Sequence, residues 1–205
     1  MRILVFVFVM VAASFANDVL AASNQMDERM FELGGVRIGV TNLEEVRSRF
    51  GDAELVPDAT DDGSAKTVCY FYTAGSRNTV VYFETGPMGG FSRVTGIRVA
   101  FASAPEKCIR LQSDSGLDVF QNAARLGETQ AKFIKRFALK FKRQKSALVF
   151  ESNFRREATT HELTMLRQQW PNELRSYFDV NVIIRASFDA GRLSDFYIHR
   201  IESYN

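Results

Sequence analysis

The chain has 205 residues, of which 46% are hydrophobic and 24% charged; 26 basic and 24 acidic side chains give a formal net charge of +2. This composition is too apolar for a disordered chain, and the net charge is too small for a nucleic-acid-binding protein. The length allows one large domain or two small ones.

The first 21 residues have the pattern of a cleavable secretory signal peptide. Arg2 supplies a positive charge, residues 3–13 are all apolar, and small residues surround a junction between Ala21 and Ala22. The apolar run is shorter than the ~20 residues of a transmembrane helix. We therefore expect a periplasmic or secreted mature chain that begins at Ala22 and has no transmembrane segment. The alternative is a buried N-terminal strand or helix.

Residues 22–103 are predicted to form a helix followed by an antiparallel meander. Thr41 and Glu44 have the spacing of a capping box, and Gly51 is placed to end the helix. Leu43, Val46 and Phe50 fall on one helical face. Three strands follow between turn signals, at Thr67–Tyr72, Thr79–Glu84 and Arg93–Phe101.

Residues 124–205, after a connector at 104–123, are predicted to repeat this unit. Leu126-Gly127-Glu128-Thr129 resembles Ile38-Gly39-Val40-Thr41 and opens a second helix. The apolar face of that helix consists of Phe133, Ile134, Phe137, Ala138 and Phe141. The predicted strands are Ala147–Phe154, Val180–Phe188 and Leu193–Glu202.

A further helix is predicted at 158–170, inserted into the second unit, with Thr160 as its cap. The predicted fold class is therefore α+β, with two tandem repeats and the helices packed on the sheet face. Chance similarity between the two halves is the alternative.

Each of the two predicted units has a Gly-x-Thr helix entry followed by a meander, and the first helix ends in Phe50-Gly51. This pattern resembles the BamE/SmpA-type envelope proteins. Two such units in tandem resemble the β-lactamase inhibitor protein (BLIP) fold. The resemblance implies a non-catalytic protein that presents a sheet face or loops to another protein. No Cys directly follows the predicted cleavage junction, where the residue is Ala22, in contrast to the BamE-type lipoproteins.

Cys69 and Cys108 are the two cysteines of the chain. An even pair in an exported protein is usually bonded, so a disulfide is predicted, with two free thiols as the alternative. A metal site is disfavoured because the two histidines, His161 and His199, lack ligand spacing relative to the cysteines.

No catalytic or cofactor-binding motif is present, so we expect neither an enzyme nor a cofactor. His161 and His199 are expected to face solvent. Asp58, Asp61 and Asp62 form an acidic loop that does not match a calcium-binding pattern. The glycine-rich residues 86–90 are interpreted as a hairpin loop.

Residues 132–156 contain nine basic side chains and a single acidic one, Glu151, and form a candidate partner-binding segment. The nine are Lys132, Lys135, Arg136, Lys140, Lys142, Arg143, Lys145, Arg155 and Arg156. The alternative is a solvated helix face and a strand edge protected by charge.

The sequence therefore predicts an exported binding protein of the bacterial envelope whose partner is another protein or an anionic envelope polymer, and not nucleic acid. Two alternatives stay open. One is a periplasmic protein that binds a small apolar ligand between helix and sheet, and the other is an envelope hydrolase without a recognisable motif.

Overall fold

A computed structural model describes residues 26, 28–57, 65–74, 77–86, 92–103, 105–111, 125–169, 171–172 and 176–204. The predicted signal peptide, the acidic loop containing Asp58, Asp61 and Asp62, and Trp170 lie outside these residues. Most of the predicted connector and of the glycine-rich loop lies outside them as well.

The described residues contain three α-helices, α1 (Leu43–Phe50), α2 (Gln130–Phe137) and α3 (Thr160–Gln169). The longer strands are β4 (Lys66–Ala74), β5 (Arg77–Thr85), β6 (Val94–Phe101), β9 (Ala147–Glu157), β10 (Tyr177–Asp189) and β11 (Arg192–Ser203). The short strands are β1 (Glu32–Leu33), β2 (Val36–Arg37), β3 (Val56–Pro57), β7 (Ile109–Arg110) and β8 (Lys142–Gln144). All six predicted strands are present, and most extend beyond their predicted ends.

The fold is α+β, with a mostly antiparallel sheet of order β3-β4-β5-β6-β11-β10-β9-β8. The strands of the two halves meet where β6 pairs with β11: residues 96–100 of β6 pair with residues 195–199 of β11. One continuous sheet therefore runs through both halves. β7 is the exception to antiparallel pairing, because it lies parallel to β4.

The helices α1 and α2 contribute to one core on the same side of the sheet. Val46 of α1 and Phe133 of α2 are fully buried, and both belong to a single cluster with strand residues such as Phe83, Ile184 and Phe196. Strand side chains alternate between faces, so the side chains between these core positions lie on the opposite face. No described helix packs on that second face, which we call the open face.

The helix caps differ in detail from the prediction. Asn42, and not Thr41, caps α1: its side chain accepts a hydrogen bond from the Glu45 amide at 2.8 Å, and the Glu45 carboxylate completes the capping box. The Thr41 hydroxyl instead accepts a hydrogen bond from the Arg37 amide at 3.0 Å, which closes the preceding turn. The cap is therefore displaced by one residue.

Helix α2 ends earlier than its apolar pattern suggests. Ala138 adopts a left-handed conformation (φ 51°) and stops the helix after Phe137. Ile134 is 40% exposed and not part of the core, so the predicted apolar face was wrong at this position. Phe141 lies past the helix end but still packs on Phe133, with ring centroids 5.3 Å apart.

Helix α3 confirms the inserted helix, with Thr159 rather than Thr160 in the capping position. The Thr159 hydroxyl accepts a hydrogen bond from the Glu162 amide at 3.3 Å, and the Glu162 carboxylate accepts one from the Thr159 amide at 2.8 Å. Reciprocal bonds of this kind form a capping box, so the helix starts at Thr160.

Candidate functional site

Six of the nine predicted basic residues lie on α2 and around the hairpin of β8 and β9, at one end of the sheet. We call this group the basic edge; its members are Lys132, Lys135, Lys140, Lys142, Arg143 and Lys145. All six side chains are exposed. None of them forms an ion pair with another residue in the described part of the chain. The positive charge of the basic edge is therefore directed at solvent.

Aromatic packing holds the two parts of the basic edge together. Phe141 lies between α2 and β8, and its ring is 5.9 Å from Phe137 of α2 and 6.2 Å from Phe150 of β9. Lys140 and Lys142 flank this anchored residue in the sequence. The hairpin turn places Lys145 in a left-handed conformation (φ 54°), as short hairpin turns often require. The lysines are therefore carried by ordered backbone.

The other three predicted basic residues do not belong to the basic edge, because each is engaged by an acid. Arg136 binds Glu128 at 2.8 Å, and Arg155 binds Asp179 at 3.1 Å. Arg155 and Arg156 point to opposite faces because successive strand residues alternate. Of the predicted partner-binding segment, these three side chains are therefore paired with acids within the chain, and the binding role of the segment stays a prediction.

Arg156 has a structural role on the helix-covered face. Its guanidinium binds Glu162 of α3 at 2.7 Å, binds Glu202 of β11, and lies 4.5 Å above the ring of Phe178. The hydrogen bond that Arg156 donates lowers the pKa of Glu162 to about 2, and the bonds that Arg156 donates to Glu162 and Glu202 raise the pKa of Arg156. This cluster joins α3 to the sheet.

The open face carries aromatic and charged residues near the centre of the sheet. Tyr82, Arg98 and Tyr197 lie side by side on β5, β6 and β11. Arg98 makes two hydrogen bonds from Nε to Asp195, at 3.1 and 3.2 Å, and lies 5.9 Å from the Tyr82 ring. Sequence reasoning missed this group, although the alternation of these residues with buried neighbours could have shown it.

Gly96 leaves space for polar side chains on the open face. A side-chain carbon at this position would lie 3.1 Å from a Glu84 oxygen, 3.2 Å from His199 Cδ2 and 3.3 Å from the Tyr197 hydroxyl. His199 was expected to face solvent, but it is half-buried and stacked on Tyr197, and burial lowers the pKa of its imidazole. His161 is exposed on α3, as predicted.

Cys69 and Cys108 form a disulfide, with Cα atoms 4.6 Å apart, as predicted. The bridge ties residues 105–108 to β4 beside the parallel strand β7. Together with β3, this segment borders a cleft of about 450 Å³ on the open face. The cleft lies at the end of the sheet opposite the basic edge.

Within the described ranges, no group of three or more His, Cys, Asp or Glu side chains is arranged to hold a metal ion. In the same residues, no helix combines the length and apolar character needed to cross a membrane.

Comparisons with known proteins do not assign this chain to a family. No protein-family model matches it, and no curated protein matches it significantly. A solved structure described as a putative GntR-family transcriptional regulator is 12% identical, with a TM-score of 0.22. The match covers 74% of this chain and 56% of that chain. A similarity this weak carries no argument about fold or function.

Proposed function

We propose that this protein is an exported, non-catalytic binding protein of the bacterial envelope, and that the basic edge contacts an anionic partner. The observation that carries the proposal is the group of six exposed cations without an acidic partner in the described residues. Cations concentrated on one surface attract oppositely charged partners and accelerate their association. The basic edge is therefore the surface we assign to the partner.

The arrangement of the cations favours an extended anionic surface over a single small anion. Lys142 and Arg143 are neighbours on β8 and therefore point to opposite sides of the sheet. Lys132 and Lys135 lie on α2, which the Phe141 contacts hold nearby. A small anion cannot contact all of these side chains together. We expect an acidic envelope polymer or the acidic face of another protein.

Export is part of the proposal. The disulfide between Cys69 and Cys108 is typical of proteins in oxidising compartments. It supports a periplasmic or secreted location, in agreement with the signal-like residues 1–21.

A tandem repeat and the resemblance to BamE/SmpA-type and BLIP proteins are also proposed. Each predicted helix entry contains a glycine with positive φ whose backbone makes two hydrogen bonds. Its amide donates a hydrogen bond to the carbonyl of a strand residue at 2.7 Å, and its carbonyl accepts a hydrogen bond from an arginine side chain. The two sets are Gly39 with Val94 and Arg93, and Gly127 with Leu193 and Arg192. Equivalent bonds at corresponding places support a common unit.

The alternative of an apolar ligand between helix and sheet has less support. Phe133 and Phe196 are fully buried, and the Phe133 ring contacts four other phenylalanine rings at 4.5–6.0 Å. Close packing of this kind leaves no room for a ligand beneath α2.

The test is charge reversal at the basic edge. The protein from Ala22 onwards, in oxidised form, is applied to an immobilised polyuronate and, separately, to envelope extract. In the test variant, Lys140, Lys142, Arg143 and Lys145 are changed to Glu. We expect this variant to elute from the polyuronate and from the extract at much lower salt than the parent protein, because retention depends on charge attraction, which salt screens. Retention on the polymer alone, or capture of one acidic protein, identifies the class of partner.

The matched control reverses four exposed cations elsewhere, Lys66, Arg77, Arg110 and Arg167. It changes the net charge equally but leaves the basic edge intact, so we expect elution close to that of the parent protein. Equal loss of retention in both variants, or unchanged retention in the first, contradicts the proposal.

A further inference from the structure

Strand β9 has one side that β8 covers only in part. β9 has 11 residues, whereas β8 has 3 and pairs only with residues 147–149. In the described part of the chain, no other strand pairs with this side of β9. Residues 150–157 therefore border the sheet, and we call this stretch the outer edge of β9. A long uncovered edge is a place where a further strand can be added.

The backbone groups that point outward from this edge belong to alternate residues. Just after β9, the amide of Ala158 donates a hydrogen bond to the carbonyl of Ser176 at 2.7 Å, on the β10 side. Hydrogen-bonding groups alternate between the two sides of a strand, so the amides and carbonyls of Glu151, Asn153 and Arg155 are directed away from β10. No described strand bonds them, and they can pair with another extended chain.

The two faces of the outer edge differ in character. Phe150 and Phe154 lie on the helix-covered face and are half-buried at the border of the core. Glu151, Asn153 and Arg155 are exposed on the open face. Side chains directly opposite each other on antiparallel strands are in contact. An added strand with apolar side chains on the covered face would therefore extend the packing around Phe154.

The charge next to the outer edge is positive. A strand antiparallel to β9 would lie in line with β8, because β8 is itself antiparallel to β9. The C-terminal end of that strand would reach Lys142, the first residue of β8, and Lys140 just before it. Both lysines are exposed and form no ion pair with the described residues. Carboxylates at this end of an added strand therefore complement the charge of the protein.

A second copy of this chain fits the outer edge poorly. The pairing that places Glu151 opposite Arg155 of the other copy also brings Glu157 of that copy opposite Val149. That position is already occupied by Lys142 of β8. A register that avoids this overlap places Glu151 opposite Glu157, and like charges directly opposite each other are destabilising. The outer edge therefore suits a segment of a different protein.

We propose that the anionic partner of the basic edge is a protein that adds an extended segment to the outer edge of β9. The segment runs antiparallel to β9, bonds its outward backbone groups and packs apolar side chains beside Phe154. Carboxylates at its C-terminal end contact Lys140 and Lys142. In this mode of binding, backbone pairing supplies affinity and alternate side chains supply specificity. The contact with the lysines rests on the function proposed above, whereas the backbone pairing does not.

The probe is an acetylated and amidated peptide of sequence TVTVTVTDDD. Its valines face the covered side when its threonines pair with the outward groups of β9. Binding to the oxidised protein from Ala22 onwards is followed by NMR titration. We expect saturable binding that shifts amide resonances of β8 and β9 and leaves those of β4 and β5 unchanged.

Two methylated peptides test the backbone pairing. Methylation of the threonine amide nitrogens, which face β9, should weaken binding by at least about tenfold, because each methyl group removes a hydrogen-bond donor. The matched control carries the methyl groups on the valine nitrogens, which point away from β9, and should bind like the unmodified peptide. Equal binding of the two methylated peptides, or no saturable binding up to about 1 mM, overturns the proposal.

Asn153→Pro tests the same pairing from the side of the protein. Proline removes the outward amide without removing a hydrogen bond to β10, and its ring obstructs the edge. We expect loss of peptide binding, whereas Asn153→Ala keeps the amide and should bind like the parent protein. A protein that dimerises through this edge, with the dimer lost in Asn153→Pro, would assign the edge to a second copy and overturn the proposal.

Replacement of the three aspartates of the probe by lysines tests the acidic end. We expect about tenfold weaker binding, because attraction to exposed lysines becomes repulsion. Equal binding of the two peptides overturns the contact with Lys140 and Lys142. Retention on the polyuronate should be the same in Asn153→Pro and the parent protein, since the basic edge is intact. Failure of the strand addition is therefore distinguishable from failure of the proposed function.

Discussion

Arg156 and Glu162 show how the role of a charged residue depends on the face to which it points. Arg156 belongs to a strongly basic segment of the sequence, yet Arg156 and Glu162 are each about a quarter to a third exposed and are bound to each other at 2.7 Å. Glu162 also closes the capping box of α3 with Thr159. Neighbouring Arg155 points to the opposite face, where it binds Asp179.

Glu162→Gln should destabilise the protein at neutral pH, and the difference should vanish in acid. The folded-state pKa of Glu162 is lowered from 4.5 to about 2, so its stabilisation is complete above about pH 4.5 and is lost as the pH falls toward 2. After allowance for partial exposure we expect about 1–2 kcal/mol at pH 7. The free energy of unfolding in urea between pH 2 and pH 7 measures this.

Glu157→Gln is the control, because Glu157 is exposed and its carboxylate forms no ion pair with the described residues. Its stability should follow that of the parent protein at every pH. A pH-independent loss in Glu162→Gln would instead mean that the capping contacts alone are responsible.

In helix α2, two consecutive residues have different environments, one in the core and one on the surface. Phe133 is fully buried among phenylalanine rings, whereas Ile134, the next residue, is 40% exposed. Periodicity placed both on the apolar face, because adjacent positions on a helix differ by only about 100°. Packing of α2 against β11 buries Phe133 beside Phe196 and leaves Ile134 exposed among the residues of the basic edge.

Phe133→Ala should cost about 3–5 kcal/mol of unfolding free energy, because it removes a buried ring and leaves a cavity. Ile134→Ala should cost less than about 1 kcal/mol, since the side chain is largely exposed. Chemical denaturation of the two variants compares them directly. Equal losses would show that Ile134 is part of the core.

The nine-stranded sheet joins both halves of the molecule, and the disulfide adds a covalent tie at one end of it. The bridge spans 39 positions in the sequence and connects β4 to the segment before β7. A crosslink over a loop of this length reduces the entropy of the unfolded chain. It therefore acts on the stability of the whole fold as well as on the cleft.

Cys69→Ala/Cys108→Ala should lower the free energy of unfolding by about 4 kcal/mol, the chain-entropy value for a loop of this size. Urea denaturation with and without a reductant measures the effect. The reductant should destabilise the parent protein by a similar amount and leave the variant unchanged. A parent protein that is insensitive to reductant would contradict a bonded pair.

Local signals in the sequence determined the elements. Alternation of apolar residues and the turn signals between them located six strands within a few residues of their ends, and capping residues located three helices. The cysteine pair and the cluster of cations were also visible, because each depends on residue type and count. These features arise from interactions over a few positions along the chain.

Only the tertiary structure decided which residues act together. The pairing of β6 with β11 and the parallel contact of β7 with β4 join segments that are distant in the sequence. Those pairings place Tyr82, Arg98 and Tyr197 side by side and build the cleft from three separate segments. Long-range pairing depends on packing across the whole sheet, which local patterns do not encode.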